Sequence, residues 1–86
     1  LLNLVRRGQA YARRGEHPRA AECFGGAIEL DPSDPELYFS RGNALAACGR
    51  HADAVADFTR AVELRPEYAE AYHNRATAHV DCGDLD

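Results

Sequence analysis

The side chains able to do chemistry in this 86-residue chain are four histidines, three cysteines, fourteen carboxylates, ten arginines and the serines Ser33 and Ser40. Their types and spacing argue against catalysis. His79 and Cys82 lie three apart, which puts both on one helical face, but two donors are half of a tetrahedral zinc set and the other ligands are missing. Asp81, Asp84 and Asp86 lack the spacing of a calcium loop. Neither serine stands in a nucleophile motif, so no hydrolase site can be built. All ten basic residues are arginine, which removes the phosphate-loop lysine, the Schiff base and the lysine general base together. The expectation is a non-enzymatic chain with no metal and no cofactor.

Cys23, Cys48 and Cys82 form an odd set without a C-x-x-C pair, which fits neither a disulfide scaffold nor a zinc site. A reducing compartment, and hence a cytoplasmic location, is the simpler expectation. The net charge of −4 argues against a nucleic-acid partner, whose phosphates demand a basic surface. A membrane partner is not expected either, because no apolar run is long enough to span a bilayer and the N-terminus lacks the zones of a signal peptide. The chain starts at Leu1 and reads as a fragment of a longer protein. At 45% hydrophobic and 28% charged it should still fold as one small globular piece, although a chain this short buries only about 60% of its unfolded surface.

What remains is binding, and the elements that would position a binding face are set by a repeat. Residues 1–34 and 35–68 align without a gap and share 12 of 34 positions, among them Gly8 with Gly42, Gly15 with Gly49, Ala20 with Ala54, Phe24 with Phe58 and Pro32 with Pro66. Residues 69–86 continue the register through Glu70, Tyr72, Arg75, Ala78, Cys82 and Gly83, giving a third unit cut after its first half. Within each unit the small and apolar residues fall at helical spacing, so each unit is two amphipathic helices. Gly15 and Gly49 separate the paired helices, Pro32 and Pro66 end the second ones, and Asp34 caps a helix that starts at Pro35. The spacing predicts helices near 2–14, 17–30, 35–48, 51–64 and 69–82. Pro18 falls in a first turn, where its missing amide is harmless. Gly25 and Gly26 sit mid-helix, each costing about 1 kcal/mol against alanine; either the backbone is approached closely there or that helix is weak.

This pattern resembles the tetratricopeptide repeat family, whose unit is a 34-residue helix-turn-helix. Leu4 stands where that family prefers tryptophan, followed by Gly8, Tyr11, Ala20, Phe24, Ala27 and Pro32; the second unit supplies Tyr38, Gly42, Leu45, Ala54, Phe58, Ala61 and Pro66. The half unit keeps Tyr72 and Gly83 but departs at Ala76 and His79, where glycine and tyrosine are usual. The resemblance covers the whole chain and implies an all-α fold: a right-handed α-solenoid of antiparallel helix pairs, with five helices here.

The resemblance also implies a use. First helices of successive units line a concave groove that holds a peptide or a partner's helix. By position the groove rows are Leu2, Glu36 and Glu70; Arg6, Ser40 and Asn74; Gln9, Asn43 and Thr77; and Arg13, Ala47 and Asp81, with Val5, Phe39 and His73 as a flank. Each unit's four recur at helical spacing on one face. The peptide-binding set is therefore expected among Val5, Arg6, Gln9, Arg13, Phe39, Ser40, Asn43, His73, Asn74 and Thr77. Asn43, Asn74 and Gln9 carry amides that donate and accept together, which suits an extended peptide backbone. Phe39 is either an aromatic groove wall or a residue buried between helices.

Charge is uneven along the solenoid. Residues 1–34 carry five arginines and five acids, residues 35–68 four and five, and residues 69–86 one and four. A bound peptide should place acidic groups near Arg6 and Arg13 and avoid Glu70 and Asp81. Some members of the family hold the C-terminal carboxylate of heat-shock chaperones through lysine, asparagine and arginine. The corresponding positions here, Val5, Gln9, Ser40, Glu70 and Asn74, do not match, and Glu70 would repel a carboxylate, so no such clamp is expected.

Arg41 and Arg75 fall where the family often has leucine, so they face inward and need a partner, for which Asp57 is the candidate. Arg7 lacks the equivalent acid, since Cys23 replaces it, and either turns outward or finds another. His17 and His51, one unit apart, should pack in the turns, and Cys48 and Cys82, also one unit apart, should stand beyond disulfide reach. Two functions stand against each other: a protein-interaction module using the groove, and a structural spacer or self-association scaffold inside a larger, enzymatic or other, protein. End-to-end self-association would follow from the uncovered outer side of helix 69–82. RNA binding is disfavoured by the charge and the repeat length.

Overall fold

The computed structural model describes residues 1–83, and within them the chain is five α-helices: α1 (Leu2–Arg13), α2 (His17–Leu30), α3 (Pro35–Ala47), α4 (His51–Leu64) and α5 (Ala69–Asp81). The helices match the spacing to within one residue at every end. Asp84 and Asp86, considered above as calcium ligands, lie outside the described residues.

The turns that separate paired helices follow from single residues. Gly15 and Gly49 hold φ of 80° and 87°, the left-handed region that a side chain disfavours. Each closes a paired hydrogen-bond motif: Glu16 N donates to Tyr11 O at 2.9 Å and Gly15 N to Ala12 O at 3.1 Å, and Arg50 N and Gly49 N repeat this with Leu45 O and Ala46 O at 2.8 and 3.1 Å. Asp34 caps α3 by accepting from Glu36 N at 2.9 Å, with Pro35 preset for the first turn. Tyr38 reaches back and donates its hydroxyl to Pro32 O at 2.9 Å, pinning the α2–α3 connection.

Every helix packs on its successor, and α3 also touches α5, so the chain winds as an open stack of 38 × 26 × 17 Å. The core repeats with it. Ala20, Phe24 and Ala44 form one cluster, and Leu45, Ala54, Phe58 and Ala78 form its counterpart further along; Ala27, Ile28 and Leu37 are echoed by Ala61, Val62, Tyr68 and Ala71. The close crossing within each pair rests on a glycine meeting a phenylalanine. A Cβ on Gly8 would stand 2.8 Å from Phe24 Cε1, and one on Gly42 would stand 2.7 Å from Phe58 Cε1, distances real side chains do not tolerate. Ala76, where the third unit departs from glycine, is exposed on α5.

Arg41 meets Asp57 as expected, through a two-pronged contact: Nε donates to Oδ2 at 2.7 Å and Nη2 to Oδ1 at 2.8 Å. Asp57 is 1% exposed and takes a further bond from Arg60 Nη1 at 2.7 Å. The hydrogen bond to Asp57 outweighs burial and raises the Arg41 pKa above its already high ordinary value, so the guanidinium stays charged. Arg75 departs from the expectation. It donates to Thr59 Oγ1 at 3.3 Å and lies over Tyr72, 5.2 Å from the ring centroid. The reason is the helical turn of α4: Asp57 looks back toward α2 and α3, while Thr59, two residues on, faces α5. Arg7 is exposed, the outward alternative.

Candidate functional site

The face built by the first helices contains two cavities that meet at one residue. The larger, about 410 Å³, is lined by Gln9 and Arg13 of α1 and by Ser40 and Asn43 of α3, over a floor that includes Ala12, Phe24 and Ala44. The smaller, about 100 Å³, is lined by Asn43 of α3 and by Asn74, Thr77 and Asp81 of α5. Asn43 lines both, so the two read as one groove crossing α1, α3 and α5.

The small floor residues decide that a groove exists at all. Gly8 and Gly42 let the second helices pack so near that Phe24 and Phe58 form the bottom, while Ala12, Ala44 and Ala78 add no bulk above them. Polar side chains then stand on the rims. Asn74 Nδ2 donates to Asn43 Oδ1 at 2.8 Å, joining α5 to α3 across the groove. Thr77 spends its hydroxyl on His73 O at 3.2 Å, which fixes its rotamer. Asn43 is exposed and Asn74 half-buried, so each keeps amide capacity for a ligand: the Asn43 NH₂ group and the Asn74 carbonyl are not used by their mutual bond.

Six of the ten sequence-expected residues thus come together: Gln9, Arg13, Ser40, Asn43, Asn74 and Thr77. Four do not. Val5 is half-buried against Ala27, Ile28 and Leu37. Phe39 takes the packing alternative: its ring meets Phe58 at 5.9 Å and Tyr68 at 4.9 Å between centroids, which makes it a seam between α3, α4 and α5 instead of an exposed wall. Arg6 and His73 are exposed and line neither cavity. His17, read in the sequence as a turn residue, also lines the larger cavity, and its buried Nδ1 has no hydrogen-bond partner among the described residues.

The groove's charge runs from Arg13 at the α1 end to Asp81 at the α5 end. Glu36, between them, is engaged by Arg65 Nη2 at 3.5 Å. No group of three or more His, Cys, Asp or Glu side chains among the described residues could hold a metal ion, and no described helix is long and apolar enough to cross a membrane. The three cysteines are free thiols.

Comparison with known proteins decides the family. The tetratricopeptide repeat model matches residues 5–69 and again residues 42–86. The chain belongs to the tetratricopeptide repeat family. It carries about two and a half repeats, in an all-α solenoid. Among solved structures it is similar to the first tetratricopeptide domain of Spaghetti (RPAP3) bound to the HSP90 peptide SRMEEVD, at 30% identity and a TM-score of 0.93, covering 98% of this chain and 67% of that one. It is similar to the second such domain of human RPAP3 in complex with the HSP70 peptide SGPTIEEVD, at 28% identity and 0.93, covering 98% and 70%. The Sgt2 domain from Aspergillus fumigatus matches at 28% and 0.90, covering 95% of this chain and 54% of that one. The chain thus spans only part of each of these domains. A search of curated proteins finds no significant match.

Proposed function

We propose that this tetratricopeptide repeat chain is a non-catalytic protein-interaction module that holds an extended peptide in the groove of α1, α3 and α5. The observation that carries the reading is Asn43, which lines both cavities and is tied to Asn74, so that amides stand along one continuous channel. Side-chain amides contact a peptide backbone without dictating its sequence, and Gln9 and Ser40 add two further polar contacts. Similar domains bound to chaperone peptides support a peptide as the ligand.

The ligand differs from those peptides at its end. Val5, Gln9, Ser40, Glu70 and Asn74 supply neither lysine nor arginine for a terminal carboxylate, and Glu70 repels one. The segment bound here lies within a chain, with its acidic groups near Arg13 and its neutral or basic groups near Asp81. Free thiols and the absence of a spanning helix among the described residues suit a cytoplasmic setting. Titration calorimetry with SRMEEVD as free acid and as C-terminal amide tests this. Equal, weak binding of both is expected; tighter binding of the free acid by ten-fold or so would overturn the unclamped reading.

A second reading, a spacer or self-association scaffold, is favoured by one observation: Tyr72 and Val80 stay 42% and 61% exposed along one side of α5. Sedimentation of the chain, alone and as Val80→Asp, separates the two, because a scaffold dimerises through this strip and loses the dimer in the variant.

A further inference from the structure

The two cavities of the groove are the same place in successive units. Moving one repeat along from Gln9, Phe24, Ser40 and Ala44 of the larger gives Asn43, Phe58, Asn74 and Ala78 of the smaller. Equivalent walls nevertheless enclose unequal space, about 410 Å³ in the α1–α3 subsite against about 100 Å³ in the α3–α5 subsite.

Ser40 against Asn74 separates them. In the α3–α5 subsite the Asn74 amide reaches Asn43 at 2.8 Å and bars the channel, and Thr77 has spent its hydroxyl on His73 O. In the α1–α3 subsite the short side chain of Ser40 stands in the place of Asn74. Neither its hydroxyl nor the Gln9 amide has a hydrogen-bond partner among the described residues, so the channel there is open and its polar groups are unspent.

Charge differs along with size. Arg13, whose equivalent is Ala47, lines the α1–α3 subsite, and no carboxylate lines it. The Arg13 guanidinium has neither ion pair nor hydrogen bond among the described residues, so it joins Gln9, Ser40 and the spare Asn43 NH₂ as donors around one open cavity. Such a wall suits a carboxylate, which only accepts and takes several donors at once. Asp81 is the charged group of the α3–α5 subsite. It ends α5, where the helix dipole disfavours an acid, and it too is unpaired among the described residues. The space before it equals the liquid volume of about three waters, which admits the side chain of alanine or serine and excludes that of glutamate or leucine.

Resting on the peptide-groove reading above, we propose that the groove selects two side chains of its peptide by size as well as charge. A glutamate enters the α1–α3 subsite and accepts from Arg13, Gln9 and Ser40; a serine enters the α3–α5 subsite and donates to Asp81. Ser40 and Asn74 are the residues that set the two sizes. The spacing follows from the stack: α3 touches α5, and helices in contact stand about 8–10 Å apart. A peptide in the polyproline II form returns to the same face every three residues, about 9 Å further on, so the glutamate and the serine are three positions apart.

The test is an NMR titration of the whole chain with a blocked hexapeptide, alanine throughout except for glutamate at its second position and serine at its fifth, and with the same peptide in reversed order. The better of the two orders is expected to shift the backbone amides of Gln9, Asn43 and Asn74 at millimolar concentration. Exchanging its glutamate for glutamine, or its serine for leucine, should weaken it about five-fold in each case. Arg13→Ala and Ser40→Asn give the first subsite the residues that the next unit already carries, Ala47 and Asn74, so the dispersed spectrum of a folded chain should persist. Each should bring the glutamate and glutamine probes level. Shifts at those amides without discrimination among the probes would overturn the two-subsite proposal and leave the groove standing; no shift there with any probe would overturn both.

Discussion

Asn74 of α5 donates to Asn43 of α3 at 2.8 Å, so the third unit's first helix is tied to the second unit's by a bond lying on the groove floor's rim. The pair is diagonal: Asn43 belongs to one groove row and Asn74 to the next. Its consequence is orientation. Each amide is fixed by the other, which sets the spare donor of Asn43 and the spare acceptor of Asn74 in place before any ligand arrives and reduces the ordering cost of binding.

Asp57 should be far more sensitive than its position on an outer helix suggests. Asp57→Ala leaves Arg41 partly buried without its carboxylate and removes the partner of Arg60 as well, at an expected cost of about 3 kcal/mol. Arg75→Leu, at the equivalent of Arg41 but resting on a hydroxyl, should change stability by less than about 1 kcal/mol. Urea unfolding of the two variants checks the contrast, and equal losses would contradict the assignment of Asp57 to Arg41.

Glycines of the same chain should respond with opposite signs. Gly42→Ala drives a methyl group into the Phe58 ring and is expected to destabilise by about 1–3 kcal/mol. Gly25→Ala meets only the tip of Arg41 and should stabilise by about 0.5–1 kcal/mol, the helix-propensity gain. Thermal melts followed by circular dichroism report both.

Those glycines also show where sequence reasoning stops. The 34-residue register, the helix ends and the turn glycines follow from local chemistry, because Gly15, Gly49, Pro32, Pro66 and Asp34 act through their own backbone. The groove was legible through the family resemblance, which places Gln9, Asn43, Asn74 and Thr77 in its rows, and helical spacing adds that each unit's row residues share one face. Phe39 and Val5 were not, since both lie at the edge of that face, where a few degrees of helix rotation decide between groove and seam. The partner of Arg75 needed the rotation of α4, which places Asp57 and Thr59 on different sides.

Alkaline pH should weaken the fold through Tyr68. Burial chiefly, with the Glu36 carboxylate adding to it and Arg65 opposing, raises its pKa above the ordinary 10.0. On raising the pH the unfolded chain loses this proton first, so the contribution is complete below 10.0 and is lost as the pH climbs from there through the folded value. Denaturant midpoints on either side of that pH should fall more steeply for the natural chain than for Tyr68→Phe.

The central claim is that Asn43 and Asn74 form the middle of a peptide groove. Its most direct test is binding of an unbiased peptide library to the chain and to an Asn43→Ala, Asn74→Ala variant whose helicity is unchanged. The account predicts capture of internal segments with acidic groups toward α1, weakened ten-fold or more in the variant. Equal capture by both proteins, or no capture by either, would contradict it.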